Sequence, residues 1–318
     1  MAAALTAEPP AEFARLVFLG DVYAGSRQRA PAIDPMLVAA LQSADLVVAN
    51  CAGPVVRRPH LPVRSWLKQR RHMDAGALLG VISAMGVETE RLALSVANSH
   101  ALDQSVAGFE ETVDTLKALQ VRVIGAAQRG LVQTVRAGSL HVGLLAFAEP
   151  ERHARRLRRH VVTAGDLAAS HWLTGEDRQP DLVCAFPHWD RWKARRPGLR
   201  ALDRAGRLAE RGISLVAGHH PSRLQPLERV GNAYVAYGLG VFHGRGAARS
   251  LADRVGAMLV VDVSTARRER GRIAAYELFP FVRLAEASRD RIVPLEYAPP
   301  ELRSQAEATF AHLASVRC

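Results

Sequence analysis

Short apolar runs recur along the chain, and helical patterns separate several of them. Leu16–Leu19, Leu46–Ala49, Leu92–Ala97, His141–Ala148, Leu182–Phe186 and Ile213–Ala217 are each four to eight residues long, the length of a buried strand. Between them, Pro35–Leu41, Ala77–Met85 and Leu199–Arg211 read as helices. The clearest helix follows Leu92–Ala97. Val106, Phe109, Val113, Leu116 and Leu119 recur at spacings of three and four, one face of a helix. Asp103 and Ser105 are its N-cap candidates, and Glu110 and Glu111 suit its positive early turns. Val121–Ile124 then reads as a strand closed by Gly125, which completes a strand–helix–strand unit. Strands alternating with helices predict an α/β protein with a largely parallel sheet. Ala233–Tyr237 and Ala257–Val263 have short connections and suit hairpins or an antiparallel edge. Residues 1–12 read as a flexible arm, 13–265 as one domain without an interdomain linker, and 266–318 as an extension packed on it.

The ends of the apolar runs carry the candidate chemistry. They close on Gly20-Asp21, Asn50, Asn98-Ser99-His100, Pro187-His188 and Gly218-His219-His220. A histidine at one strand end is usually structural. Five polar endings in order are a pattern, because parallel strands bring their carboxyl ends to a single edge, where open α/β sheets bind ligands. Asp, Asn and His there offer oxygen and nitrogen ligands for Zn, Mn or Fe. Two such ions about 3.5–4 Å apart could activate water and stabilise phosphoryl oxygens.

The order and spacing of these stretches resemble the CapA family, named for capsule and poly-γ-glutamate biosynthesis, within the calcineurin-like metallophosphoesterase superfamily. "FLGDVYAG" is similar to its opening Gly-Asp motif, and "VVANCAGPV" to its Asn-Leu-Glu-Gly-Pro element. "VANSHALDQSVAGFEETVDTLKAL" resembles the Asn-Asn-His-x-x-Asp signature and the helix after it. "VCAFPHWD" resembles the His-Trp-Gly element, and "GHHPSRLQPLERVGNAYVAYGLGVF" the Gly-His-His-Pro-His segment with the strand pair beyond it. The resemblance implies a four-layer α/β/β/α sandwich around a metal-centred cleft. By position it makes Asp21, Asn50, His100, His188 and His219 metal ligands or near neighbours. It makes Asn98 the residue that positions a phosphate or an attacking water. His220 would be a ligand or an acid behind the ligands. Asp103 would orient His100 or cap the helix, the cap being the favoured reading.

The chain departs from the pattern at several points. Ala52 and Trp192 stand where the family has Glu, Ser222 where it has the last His, and Ser99 where it has the second Asn. Gly238 and Val241 replace a Ser and an Asn. Two adjacent cations need carboxylates to offset their repulsion, so these losses favour one divalent ion, or a site without metal, over a pair. The expected activity is a metal-dependent hydrolase or transferase acting on an anionic small-molecule or peptide-like substrate, in polymer or metabolite biosynthesis. The alternative is a non-catalytic accessory or binding protein that retains the fold.

Charge and composition modify this picture only slightly. The chain of 318 residues carries a formal charge of +11, with 42 Lys and Arg against 31 Asp and Glu. Lysine stands only at 68, 117 and 193, so arginine supplies the excess, and arginine favours phosphates and carboxylates. A coding bias towards Arg and Ala explains the excess equally well. Glu151–His160 holds five arginines, but they wrap around a helix and read as a solvated segment. No recognised nucleic-acid-binding motif accompanies the charge, so nucleic acid is not the expected partner. Aromatics make up 6% of the chain, so aliphatic side chains must fill most of the core. Trp172, Trp189 and Trp192 read equally as pocket wall, core or lid. Cys51, Cys184 and Cys318 lack metal-motif spacing, and Cys51 reads as packed and inert. The odd cysteine count, the N-terminus without a signal pattern and the absence of a run of about 18 apolar residues predict a cytoplasmic protein without a membrane span. The sequence sets no oligomeric state.

Overall fold

A computed structural model describes residues 4–5, 12–25, 29–60, 71–149, 154–168, 179–244, 250–286, 289–304 and 306–307. The first sheet is built from β1 (Ala4–Leu5), β2 (Phe13–Val22), β3 (Ala32–Ile33), β4 (Leu46–Cys51), β5 (Leu92–Ser95) and β6 (Arg122–Ile124). The second takes β7 (Gln133–Ala137), β8 (Leu140–Ala148), β9 (Leu182–His188), β10 (Leu215–Ala217), β11 (Leu227–Val230) and β12 (Ala233–Ala236). The chain then returns to the first sheet with β13 (Val241–His243), β14 (Val255–Ser264), β15 (Ile273–Ala285) and β16 (Asp290–Pro294). The helices are α1 (Pro35–Gln42), α2 (Ala75–Met85), α3 (Ser105–Ala118), α4 (Ala154–Leu157), α5 (Ala164–Ala168) and α6 (Leu199–Glu210).

Strand order is β3-β16-β15-β14-β2-β4-β5-β6 in the first sheet, with β1 added to β15 and β13 to β2. In the second it is β11-β12-β10-β9-β8-β7. The run β2-β4-β5-β6 is parallel, as is β8-β9-β10-β12. Apart from β12, whose run was expected in a hairpin or at an antiparallel edge, these are the strands read from the alternating apolar runs.

Alternation along the strands sorts the side chains into layers. Leu16, Phe18, Leu46 and Val48 of the first sheet face Leu144, Cys184, Phe186 and Leu215 of the second in one buried cluster. Phe18 meets Phe186 across it with ring centroids 6.3 Å apart. The opposite face, Val17, Leu19, Val47 and Ala49, packs with Leu37 and Leu41 of α1, Val81 of α2 and Phe109 and Leu116 of α3. Leu145, Val183 and Val216 of the second sheet turn outward to Ala201, Ala205 and Leu208 of α6. The molecule is therefore a four-layer α/β/β/α sandwich with a mostly aliphatic centre.

Two local expectations are met only in part. Ala257–Val263 lies within β14, which sits between β2 and β15 inside the sheet rather than at its edge. Its antiparallel pairing was legible, but its place was not, because β15 is supplied by residues further along the chain. The cap of α3 also differs. Gln104 takes the N-cap position without a side-chain hydrogen bond, and Ser105 has φ 71°. Asp103 is drawn away from the helix by two stronger partners in the cleft. In the basic segment, Arg156, Arg158 and Arg159 are exposed, as a solvated surface requires. Arg152, Trp172 and Cys318 lie outside the described residues.

Candidate active site at the junction of the two sheets

The parallel strands of both sheets end on the same side, and their carboxyl ends meet. In the first sheet Asp21 pairs in register with Asn50, and Asn50 with Ser95. In the second, His188 pairs with Ala148 and bridges to His219. Asp21 and His219 close the junction: Asp21 Oδ1 lies 3.4 Å from His219 Nδ1, without the alignment of a hydrogen bond. Both glycines that precede these residues permit close approach. A Cβ on Gly20 would fall 2.0 Å from the Gly240 carbonyl oxygen, and one on Gly218 would fall 2.2 Å from that of Tyr237.

Asn50 and Asn98 form a scaffold beneath the cleft. Asn50 Nδ2 donates to Asp21 Oδ1 at 2.8 Å. Asn98 Nδ2 donates to Asn50 Oδ1 at 3.1 Å and to the Cys51 carbonyl at 2.8 Å. Asn98 Oδ1 accepts from the His100 backbone N–H at 3.0 Å. The chain reaches this geometry because it turns sharply after β5, with Asn98 N–H donating to the Val96 carbonyl. His100 is held in turn: its Nδ1 lies 2.7 Å from Asp103 Oδ2, which also accepts from the Arg71 backbone N–H at 2.8 Å. These two bonds replace the expected helix cap.

The histidines of the second sheet stack on one another. The His188 and His220 rings lie 4.0 Å apart between centroids, and His188 and His219 lie 5.2 Å apart. Phe186 packs beneath His219 at 4.4 Å. His220 sits at φ 94°, a strained conformation for a residue with a Cβ. Burial pushes the His188 imidazole well below its ordinary range, and neighbouring His220, His219 and His100 push it the same way. Burial likewise lowers His220 to about 4. Both are neutral imidazoles at physiological pH, the form that ligates a metal or accepts a proton. Burial raises the Asp21 carboxyl, and His219 and Asn50 more than offset it, so Asp21 stays ionised.

Donors without partners are concentrated here. His188 Nδ1 and both ring nitrogens of His219 are buried with no hydrogen-bond partner, and Asp21 forms no ion pair with Lys or Arg among the described residues. Among the described residues, no three His, Cys, Asp or Glu side chains form a preformed ligand set. The donors nevertheless fit one divalent cation: the Asp21 carboxylate, which accepts from Asn50, offers oxygen, and the bare imidazoles of His188 and His219 offer nitrogen. They do not fit two. The Ala52 side chain offers no ligand, and Trp192 is 57% exposed with its ring under the Lys193 ammonium. Glu149, at the end of β8, is turned to Arg204 of α6 at 3.1 Å.

The other side chains singled out by sequence have structural places. Trp189 is fully buried and donates through Nε1 to the Tyr237 carbonyl at 2.8 Å. Cys51 is buried, and burial pushes its thiol up to about 12, which leaves it inert as expected. Two features were invisible in the sequence. One is Arg71, in a basic stretch without periodicity. The other is Asp253, which accepts from Lys193 Nζ at 3.1 Å and from Arg223 Nε at 3.1 Å. It clips together the loops that follow His188 and His220.

Asp253 gives a pH-dependent prediction. Burial raises its carboxyl, and Lys193 and Arg223 more than offset it, so it titrates below its ordinary 3.8. A depressed carboxyl stabilises the fold fully above that ordinary value, and the contribution is lost as pH falls through the lower folded value. Asp253→Asn should therefore lower stability at pH 7 by at least about 1.5 kcal/mol. Melting curves of the two proteins should converge below pH 3.8.

The layers and the strand-end cleft define a four-layer α/β/β/α sandwich with polar side chains gathered at the carboxyl ends of its parallel strands. The profile of the bacterial capsule synthesis protein family, PGA_cap, matches residues 15–244, more than half of the chain, and the protein belongs to that family. The PGA biosynthesis protein CapA of Bacillus subtilis (strain 168) is 23% identical over 159 residues, 47% of this chain and 41% of that relative. The match thus spans less than half of the relative's length. Among solved structures, a hypothetical protein from Thermus thermophilus aligns with a TM-score of 0.46 at 15% identity, covering 84% of this chain and 99% of the other. A novel phosphatase from Mycoplasma pneumoniae aligns with a TM-score of 0.45 at 13% identity, covering 85% and 94%. No helix among the described residues is long and apolar enough to cross a membrane.

Proposed function

We propose that this protein is a metal-dependent hydrolase or transferase with one divalent cation, Mn, Fe or Zn, acting on an anionic small-molecule or peptide-like substrate in polymer or metabolite biosynthesis. One observation carries the reading: a buried, ionised Asp21 with no Lys or Arg paired to it among the described residues lies 3.4 Å from a bare nitrogen of His219, whose ring packs against that of His188 with its own bare Nδ1. Asp21, His188 and His219 would hold the cation, which supplies Lewis acidity to a substrate oxygen. Asn50 keeps Asp21 in place through its 2.8 Å bond. Asn98 is a positioning residue, because its amide is already committed to Asn50, Cys51 and His100. With Nδ1 bonded to Asp103, the His100 ring is held in one orientation and its Nε2 is left to hold a proton. His100 is thereby suited to protonate a leaving oxygen. His220 lies against His188 and excludes water from that side of the cleft. Cys51 and Cys184 are free thiols, and a cytoplasmic setting belongs to the same proposal.

The loss of carboxylates at Ala52 and Trp192 favours a second reading, an accessory protein that binds a ligand in the old cleft without turning it over. Elemental analysis of protein purified without chelator separates the two. The enzyme reading expects one cation per chain, lost in the double variant His188→Ala, His219→Ala, and metal-dependent release of nitrophenol from a nitrophenyl phosphate ester. No bound cation under any loading condition leaves the accessory reading standing.

A further inference from the structure

Arg71 places a guanidinium at the edge of the cleft. Its guanidinium donates to the Ala52 carbonyl at 3.1 Å and lies 5.4 Å from the centroid of the Tyr23 ring. No Asp or Glu side chain forms an ion pair with it among the described residues. The surroundings are built to hold it there. Its backbone N–H shares the Asp103 carboxylate with His100, which fixes the arginine and the imidazole from one point. Tyr23 Oη donates to the His72 carbonyl at 3.0 Å and so pins the ring that the guanidinium faces. Gly53 leaves room for both: a Cβ there would meet Arg71 Cβ at 3.0 Å and Tyr23 Cε2 at 3.4 Å. The Ala52 carbonyl that receives Arg71 belongs to the residue standing in place of the family's Glu.

We propose that Arg71 binds the substrate's oxyanion, a carboxylate or a phosphate, at the rim of the cleft between Tyr23 and His100. The inference rests on the reading of the cleft as a substrate site. It adds the residue that selects for negative charge. A guanidinium with one bond among the described residues keeps further N–H donors for a planar fork onto two oxygens. Stacking on Tyr23 orients that fork and reduces what is lost on binding.

The test measures binding of inorganic phosphate and of succinate to the full chain by calorimetry, with metal present and with chelator. The wild type should bind at least one probe at millimolar concentration in both conditions. Whichever probe binds more tightly identifies phosphate or carboxylate as the source of the oxyanion. Arg71→Gln should weaken that binding about tenfold to hundredfold with an unchanged melting temperature. Arg71→Lys, which keeps the charge without the fork, should recover only part of it. Equal binding by wild type and Arg71→Gln, or no binding of either probe by the wild type, overturns the inference. Arg71-dependent binding in a protein that neither retains metal nor hydrolyses an ester leaves the inference intact and overturns the hydrolase reading instead.

Discussion

Asp21→Asn is expected to abolish stoichiometric cation binding and to reduce metal-dependent ester hydrolysis at least about hundredfold, since even residues behind a ligand cost about 10–100-fold in metal affinity. The substitution is nearly isosteric. The amide oxygen of the variant would still accept from Asn50 Nδ2, and the backbone bond from residue 21 to the Gly240 carbonyl does not involve the side chain. Only the charge is lost. The charge matters because Asp21 is buried, is ionised, and stands where Ala52, Trp192 and the Arg204-bound Glu149 supply no second carboxylate. In chelator, the melting temperatures of wild type and variant should agree within a few degrees. With added Mn or Zn only the wild type should rise, because a ligand that binds the native state alone stabilises it by mass action. A variant that keeps its cation and its thermal response would show that Asp21 is not a ligand and would end the proposed mechanism.

The parts of this site that were legible in the sequence share one property: they follow from local pattern. Each apolar run that ends in Asp21, Asn50, His188 or His219 is a central strand, buried on both faces, and such strands announce themselves as continuous hydrophobic stretches. The ordered endings then place the polar residues at one edge without knowledge of contacts. What was hidden depends on non-local partners. Asp103 reads as a cap because it precedes an amphipathic helix; its local bond to His100 was one of the two readings, but only the fold brings the Arg71 backbone N–H to the same carboxylate. Arg71 itself lies in a stretch with no period, so its pairing with the Ala52 carbonyl leaves no trace in the pattern. The two sheets were a consequence of family likeness, because a strand run does not say which sheet it joins. β15 was missed for a related reason. Pro280 interrupts it, and the mixed exposure of its residues gives neither a continuous nor an alternating signal.

Gly20→Ala and Gly218→Ala are expected to destabilise the protein by at least about 3 kcal/mol each, toward the upper end of overpacking costs. Elsewhere a methyl group can be absorbed by a side chain that rotates away. Here the nearest obstacle in each case is a backbone carbonyl oxygen. A Cβ at position 20 would sit 2.0 Å from the Gly240 oxygen and 2.9 Å from its carbonyl carbon, so β13 would have to leave β2 next to Asp21. A Cβ at position 218 would sit 2.2 Å from the Tyr237 oxygen and 2.4 Å from Trp189 Nε1, inside the bond between those two atoms. Relief would require β10 to move off β12 and carry His219 away from Asp21. Gly206 in α6 is the control, because nothing lies within 4 Å of its added Cβ. Gly206→Ala should be neutral or stabilising by up to about 1 kcal/mol through helix propensity. At about 2–4 °C per kcal/mol for a chain of this size, the first two variants should melt roughly 6–12 °C below wild type and the third at or above it. If the three variants melt together, the approach of β13 to Gly20 and of Tyr237 to Gly218 is not as close as described. The glycine before Asp21 and the glycine before His219 would then have no part in bringing the two sheets' polar ends together.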